Sequence, residues 1–140
     1  MPRTITPMIV RRVATMDENK SILDVAILMT EEFIGSVVIT NSSGICGLFT
    51  ERELVMKVVG KRKDPETVKI KDVMNRNPIK VNPNDTASHC LDLMKEYRCR
   101  HLLVFDGDEF VGIVSIRDMV ALMIDEKEEL IEHLKHYIAS

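Results

Sequence analysis

The chain has 140 residues, 45% of them hydrophobic and 29% charged, a size and balance that fit one compact domain with a buried core. A net charge of −3 gives no basic footprint for nucleic acid, no window reads as a membrane-spanning helix, and MPRTITPMIVRR lacks the apolar core of a signal peptide, so a cytoplasmic protein away from membranes is expected. Three Cys, an odd number with no CxxC, argue for reduced thiols over a disulfide framework.

The first predicted element is a short strand near Val13–Met16. A helix follows, opening at Ser21, where Asp24 completes a capping box and Ile22, Val25, Ala26 and Met29 recur at helical spacing. Next come an apolar strand over Ser36–Thr40, an NSSG turn, a strand over Ile45–Phe49 and a short helix over Glu51–Val59. The polar stretch GKRKDPET, Gly60–Thr67, reads as a connector, and Ile70–Met74 as a short helix leading on. A strand over Ile79–Val81 then leads to a helix opening at Thr86, with Ala87, Cys90, Leu91 and Met94 on one face. A strand over His101–Phe105, a DGDE turn, a strand over Phe110–Val114 and a helix over Ile116–Ile124 complete the pattern. The tail, MIDEKEELIEHLKHYIAS, is amphipathic through Met123, Leu130, Ile131, Leu134 and Ile138, and this stripe needs a cover, either its own domain or a second subunit.

The order β-α-β-β-α therefore occurs twice. A shift of 65 residues lays GLFTERE (Gly47–Glu53) on GIVSIRD (Gly112–Asp118) without a gap, and apolar positions agree along both copies. A unit of about 55 residues buries too little surface to be comfortable alone. The expected fold class is α+β: two pseudo-symmetric β-α-β-β-α units packed through their sheets, plus a C-terminal amphipathic helix. The expected divisions are residues 1–62, 63–124 and 125–140.

The repeated heptapeptide carries the chemistry. Thr50-x-x-Glu53 has the form of a capping box and Ser115-x-x-Asp118 is a close variant, so capping alone, at about 1 kcal/mol each, accounts for all four residues. A second reading adds to capping. A carboxylate can accept from both hydroxyls of a ribose diol, and the Ser or Thr hydroxyl one turn back can reach the sugar or its phosphate linkage.

These residues resemble a tandem pair of cystathionine-β-synthase (CBS) domains. The resemblance rests on the two G-h-h-S/T-x-x-D/E signatures GLFTERE and GIVSIRD, on GSVVITNSSGICG and RHLLVFDGDEFVG, and on IKDVMNRNPIKVNPNDT. It covers roughly residues 5 to 124, and the sequence resembles small stand-alone pairs of bacteria and archaea. It implies a non-enzymatic regulatory or adaptor protein. It also implies clefts between the units that take AMP, ADP, ATP or S-adenosylmethionine, a homodimer, and a change of shape or of protein-partner binding on ligation. No cofactor is required by it.

By the same resemblance, Asp118 with Ser115, and Glu53 with Thr50, hold the ribose. Arg100 and His101 stand where a cation faces the phosphates, where the first repeat has Gly35 and Ser36. Glu53 is one methylene longer than the usual Asp, so unequal occupancy of the two sites is expected. Arg52 and Arg117 are either solvated first-turn residues or phosphate contacts. Lys80, with Thr15 as its counterpart, is a weaker phosphate candidate, and Ala14 and Ile79 are expected to flank the adenine. The rival reading is an assembly module that binds no ligand and recruits a protein partner. A third is metal or redox sensing through Cys99 and His101, but His89, Cys90, Cys99 and His101 lack the spacing of structural zinc ligands, and no metal site is expected. Nothing in the sequence resembles a catalytic nucleophile with its base and orienting partner, a phosphate loop or a zinc-protease motif.

Overall fold

The computed structural model describes residues 3–139. The first repeat contains β1 (Thr15–Asp17), α1 (Ile22–Glu32), β2 (Ser36–Asn41), β3 (Gly44–Thr50) and a short α2 (Glu51–Glu53). The second contains β4 (Lys80–Val81), α3 (Ala87–Tyr97), β5 (His101–Asp106), β6 (Glu109–Ser115) and α4 (Ile116–Ala139). Each repeat forms its own three-stranded sheet, in the orders β1-β2-β3 and β4-β5-β6. The first pair in each sheet is parallel and the second antiparallel, and both hairpins carry a register shift at the same place, after Ile39 and after Val104.

Local chemistry explains the element boundaries. Ser21 and Asp24 form the reciprocal capping box of α1, and the Thr86 hydroxyl accepts from the His89 N–H at the start of α3. One face of each sheet is covered by its helices. Val37, Ile39 and Phe49 join Ile22, Val25 and Met29 in one core, while Leu102, Val104 and Val114 join Ala87, Cys90, Met94, Met119 and Leu122 in the other.

Two features depart from the sequence expectations. The helix expected over 51–59 is α-helical only to Glu53, continues as a π-helical turn over Leu54–Val58, and ends in a 3-10 turn over Val59–Lys61. The second repeat behaves differently: α4 runs unbroken from Ile116 to Ala139, so no break separates the helix expected to end at Ile124 from the tail. This stretch contains no Gly or Pro and is rich in Glu, Lys, Leu and Ile, so nothing in it stops a helix.

Contacts also divide the chain differently from a cut after residue 62. One compact unit combines residues 3–12 with 79–139, and the other is Val13–Pro78. The lead-in segment of each repeat thus packs in the unit built on the other repeat. Val10 and Ile113 exchange both backbone hydrogen bonds at 2.9 and 3.0 Å, and Ile5 and Ile9 enter the α3/α4 core. Asn75 and Leu48 exchange theirs at 2.9 Å, and Ile70 enters the α1 core. Both exchanges need a glycine beside them. A Cβ on Gly112 would run into the Val10 carbonyl oxygen, and one on Gly47 would lie 2.9 Å from the Asn75 carbonyl oxygen.

Candidate functional site

In the unit of residues 79–139, β6 ends at Ser115 and α4 begins at once. The Asp118 N–H donates to Ser115 Oγ at 3.3 Å, and the Ser115 hydroxyl donates back to Asp118 Oδ2 at 3.0 Å. Ser115 therefore caps the helix and at the same time orients the carboxylate. One strand over, His101 is the register partner of Ser115, and the Arg100 carbonyl accepts from the Ile116 N–H at 2.9 Å. The structure thus gathers Ser115, Asp118, Arg100 and His101 at one end of the sheet. Ser115, Asp118 and His101 are half-buried, while Arg100 and Arg117 are exposed. The pairing carries the first strand beside them as well: Leu103 donates to the Ile79 carbonyl at 3.0 Å, and Lys80 is the partner of Leu103.

Lys80 has an occupation that sequence reasoning missed. Its ammonium sits 4.6 Å over the ring of Phe105, which meets Phe110 edge-on with centroids 5.4 Å apart. This cation–π contact engages Lys80 along the sheet, toward the hairpin. The signal was present in the sequence, since Phe105 and Phe110 flank the DGDE turn where the first repeat has Thr40 and Ile45.

The unit of residues 13–78 repeats the layout with different side chains. Thr50 is the partner of Ser36, the Glu51 N–H donates to the Gly35 carbonyl at 3.2 Å, and the Thr50 hydroxyl donates to Glu53 Oε2 at 3.0 Å. Thr50 Oγ1 accepts from Arg52 N–H at 3.3 Å, one residue earlier in the helix than its counterpart. Thr15 pairs with Val38, whose N–H donates to the Ala14 carbonyl at 3.0 Å. The decisive contrast is burial. Glu53 is 7% exposed, and burial raises its pKa above the ordinary carboxylate value, with the Thr50 hydrogen bond pulling the other way. Glu53 is buried, whereas Asp118 keeps contact with solvent.

Among the described residues, no group of three or more His, Cys, Asp or Glu is arranged to hold a metal ion, and no helix is long and apolar enough to cross a membrane.

Comparison with known proteins matches the CBS domain family to residues 5–60 and again to 70–125. An uncharacterised protein of Methanopyrus kandleri is 35% identical over 112 residues, spanning 79% of this chain and 57% of its own length. A signal-transduction protein with CBS domains from Burkholderia ambifaria superposes with a TM-score of 0.78 at 32% identity, over 82% of this chain and 85% of its own. The CBS-domain pair of protein MJ0100, solved in complex with 5′-methylthioadenosine and S-adenosylmethionine, has the same fold, with a TM-score of 0.74 at 23% identity over 86% of this chain and 98% of its own.

Proposed function

The chain belongs to the CBS-domain family, one domain in each repeat, and from that premise we propose that it is a regulatory, non-enzymatic sensor of an adenosine nucleotide or S-adenosyl compound. The carrying observation is the Ser115–Asp118 pair at the head of α4, with Arg100 and His101 on the adjoining strand. Ser115 holds one carboxylate oxygen of Asp118, and the carboxylate has lone pairs left for a ribose diol. Arg100 supplies the positive charge for a phosphate or other anionic group. The adenosine ligands of protein MJ0100 support this choice of ligand class. Ligation would alter shape or partner binding only by the difference in affinity between two states of the chain.

The rival reading, an assembly module without a ligand, is favoured for the first repeat by one observation. Glu53 is buried, unlike Asp118, so it is poorly placed to take a sugar. We therefore assign the ligand to the Asp118 site, with the Glu53 site empty or weak.

A thermal-shift series with AMP, ADP, ATP, S-adenosylmethionine and zinc tests the reading. A ligand at 100 times its Kd adds about 2.7 kcal/mol of stability, a shift of several degrees. We expect one or more adenosine compounds to raise the melting temperature of the wild type. Asp118→Ala removes hydrogen bonds to a charged group, of roughly 1.5–3 kcal/mol, and should bind about ten-fold to a hundred-fold more weakly. Glu53→Ala should leave the affinity unchanged. No response to any adenosine compound would transfer the whole chain to the assembly reading.

A further inference from the structure

The last part of α4 is a helix without a cover. From Lys127 to Ala139 every residue is exposed, and the last buried side chain of the helix is Leu122. The N-terminal segment holds the helix at its root, through the Arg3 N–H to Glu126 Oε1 at 3.1 Å and an ion pair between Arg3 and Glu129. Beyond that point Leu130, Ile131, Leu134 and Ile138 are each more than half exposed. Lys127, Ile131, Leu134 and Ile138 follow one another in steps of four, three and four, the spacing of a coiled-coil seam.

We propose that this seam pairs with the same seam of a second copy of the chain, antiparallel, about a two-fold axis near residues 132 and 133. The charges on the helix select that partner and that direction. In the antiparallel pair, Ile131 faces Leu134 of the second copy and Leu134 faces its Ile131. Lys127 lies against Ile138 of the second copy, where its methylene stem packs and its ammonium reaches water. On the flank of the seam, Glu128 meets Lys135 of the second copy, and symmetry makes this contact twice. A parallel pair in register would stack Lys127 on Lys127 inside the seam and would leave Glu128 and Lys135 apart. Among the described residues of its own chain, Lys135 has an exposed contact to Glu132 at 3.8 Å, a weak competitor. A lipid surface fits poorly, because residues 125–139 carry five acidic side chains against two Lys.

Sedimentation equilibrium of the full chain and its charge-reversal variants tests the pairing. The wild type is expected to self-associate. Glu128→Lys and Lys135→Glu each set like charges against each other at both symmetric contacts and should weaken association about ten-fold. The double variant restores opposite charges and should recover the wild-type constant. Ile131→Asp with Leu134→Asp should abolish this association while the melting profile of the dilute chain persists. The pairing is overturned by a wild type that stays monomeric at high concentration, by equal association in all variants, by weakened single variants that the double does not rescue, or by sedimentation of the monomer with phospholipid vesicles.

Discussion

Phe33 and Arg98 occupy the same position in the two repeats, and both close their helices in the left-handed conformation, at φ 54° and 53°. Such a position favours Gly, and Phe33 gains nothing in return, since its side chain is 94% exposed. Phe33→Gly is therefore expected to stabilise the chain by about 1 kcal/mol, read as a higher urea midpoint with an unchanged slope. Glu53 gives a pH-dependent counterpart. Its raised pKa means that the folded chain keeps this proton to higher pH than the unfolded chain does. The resulting stabilisation is fully present below the ordinary carboxylate pKa and is lost as pH rises through the folded-state value. Glu53→Gln retains an acceptor for Thr50, so it should exceed the wild type in stability at neutral pH, with the difference closing near about pH 4. Burial likewise pushes the Cys46 and Cys90 thiols up to about 11, with Glu18 adding to the effect at Cys46. Neither should react with Ellman's reagent at mildly alkaline pH until the chain unfolds.

At the scale of elements, the two crossed lead-in segments make different demands on their glycines. Gly112 faces the Val10 backbone, which cannot step aside. A Cβ on Gly47 would also press on Met74 Sδ at 2.7 Å, the far part of a flexible side chain, besides the Asn75 carbonyl. Gly112→Ala should destabilise by roughly 1–3 kcal/mol and Gly47→Ala by less, measured by chemical denaturation. Local signals had already marked most elements in the sequence. Ser21, Thr86, Ser36 and His101 stand where caps and turns said helices and strands would start, because capping and hairpin chemistry act over three or four residues. The juxtaposition of Ser115 with His101 and Arg100 followed from the same hairpin pattern. The destination of the lead-in segments was not legible. Periodicity marks which residues are buried but not which sheet receives them, and two similar repeats offer two similar places. Neither the burial of Glu53 nor the π-helical turn that follows it has a sequence mark. The charge and strand position of Lys80 suggest a phosphate contact but say nothing of the ring that engages it.

At the scale of the whole molecule, the repeat and the compact unit are different objects. A fragment of residues 1–62 holds one complete repeat but lacks Ile70 and Asn75, which its core and its strand β3 use. A fragment of residues 13–78 holds the complete contact unit. The second fragment is expected to show more helical circular dichroism and better-dispersed amide resonances than the first, despite similar length. Truncation after Glu126 should cost the dilute chain less than about 1 kcal/mol, because the described residues it removes, 127–139, are all exposed and ion pairs such as Arg3–Glu129 are partly solvated. The crossing also sets an order on synthesis. The edge that Val10 must join, at Ile113, is translated more than a hundred residues after Val10 itself. The segment around Val10 must therefore wait unpaired while the residues between are made, and it reaches its native neighbours only after Ile113 has been translated.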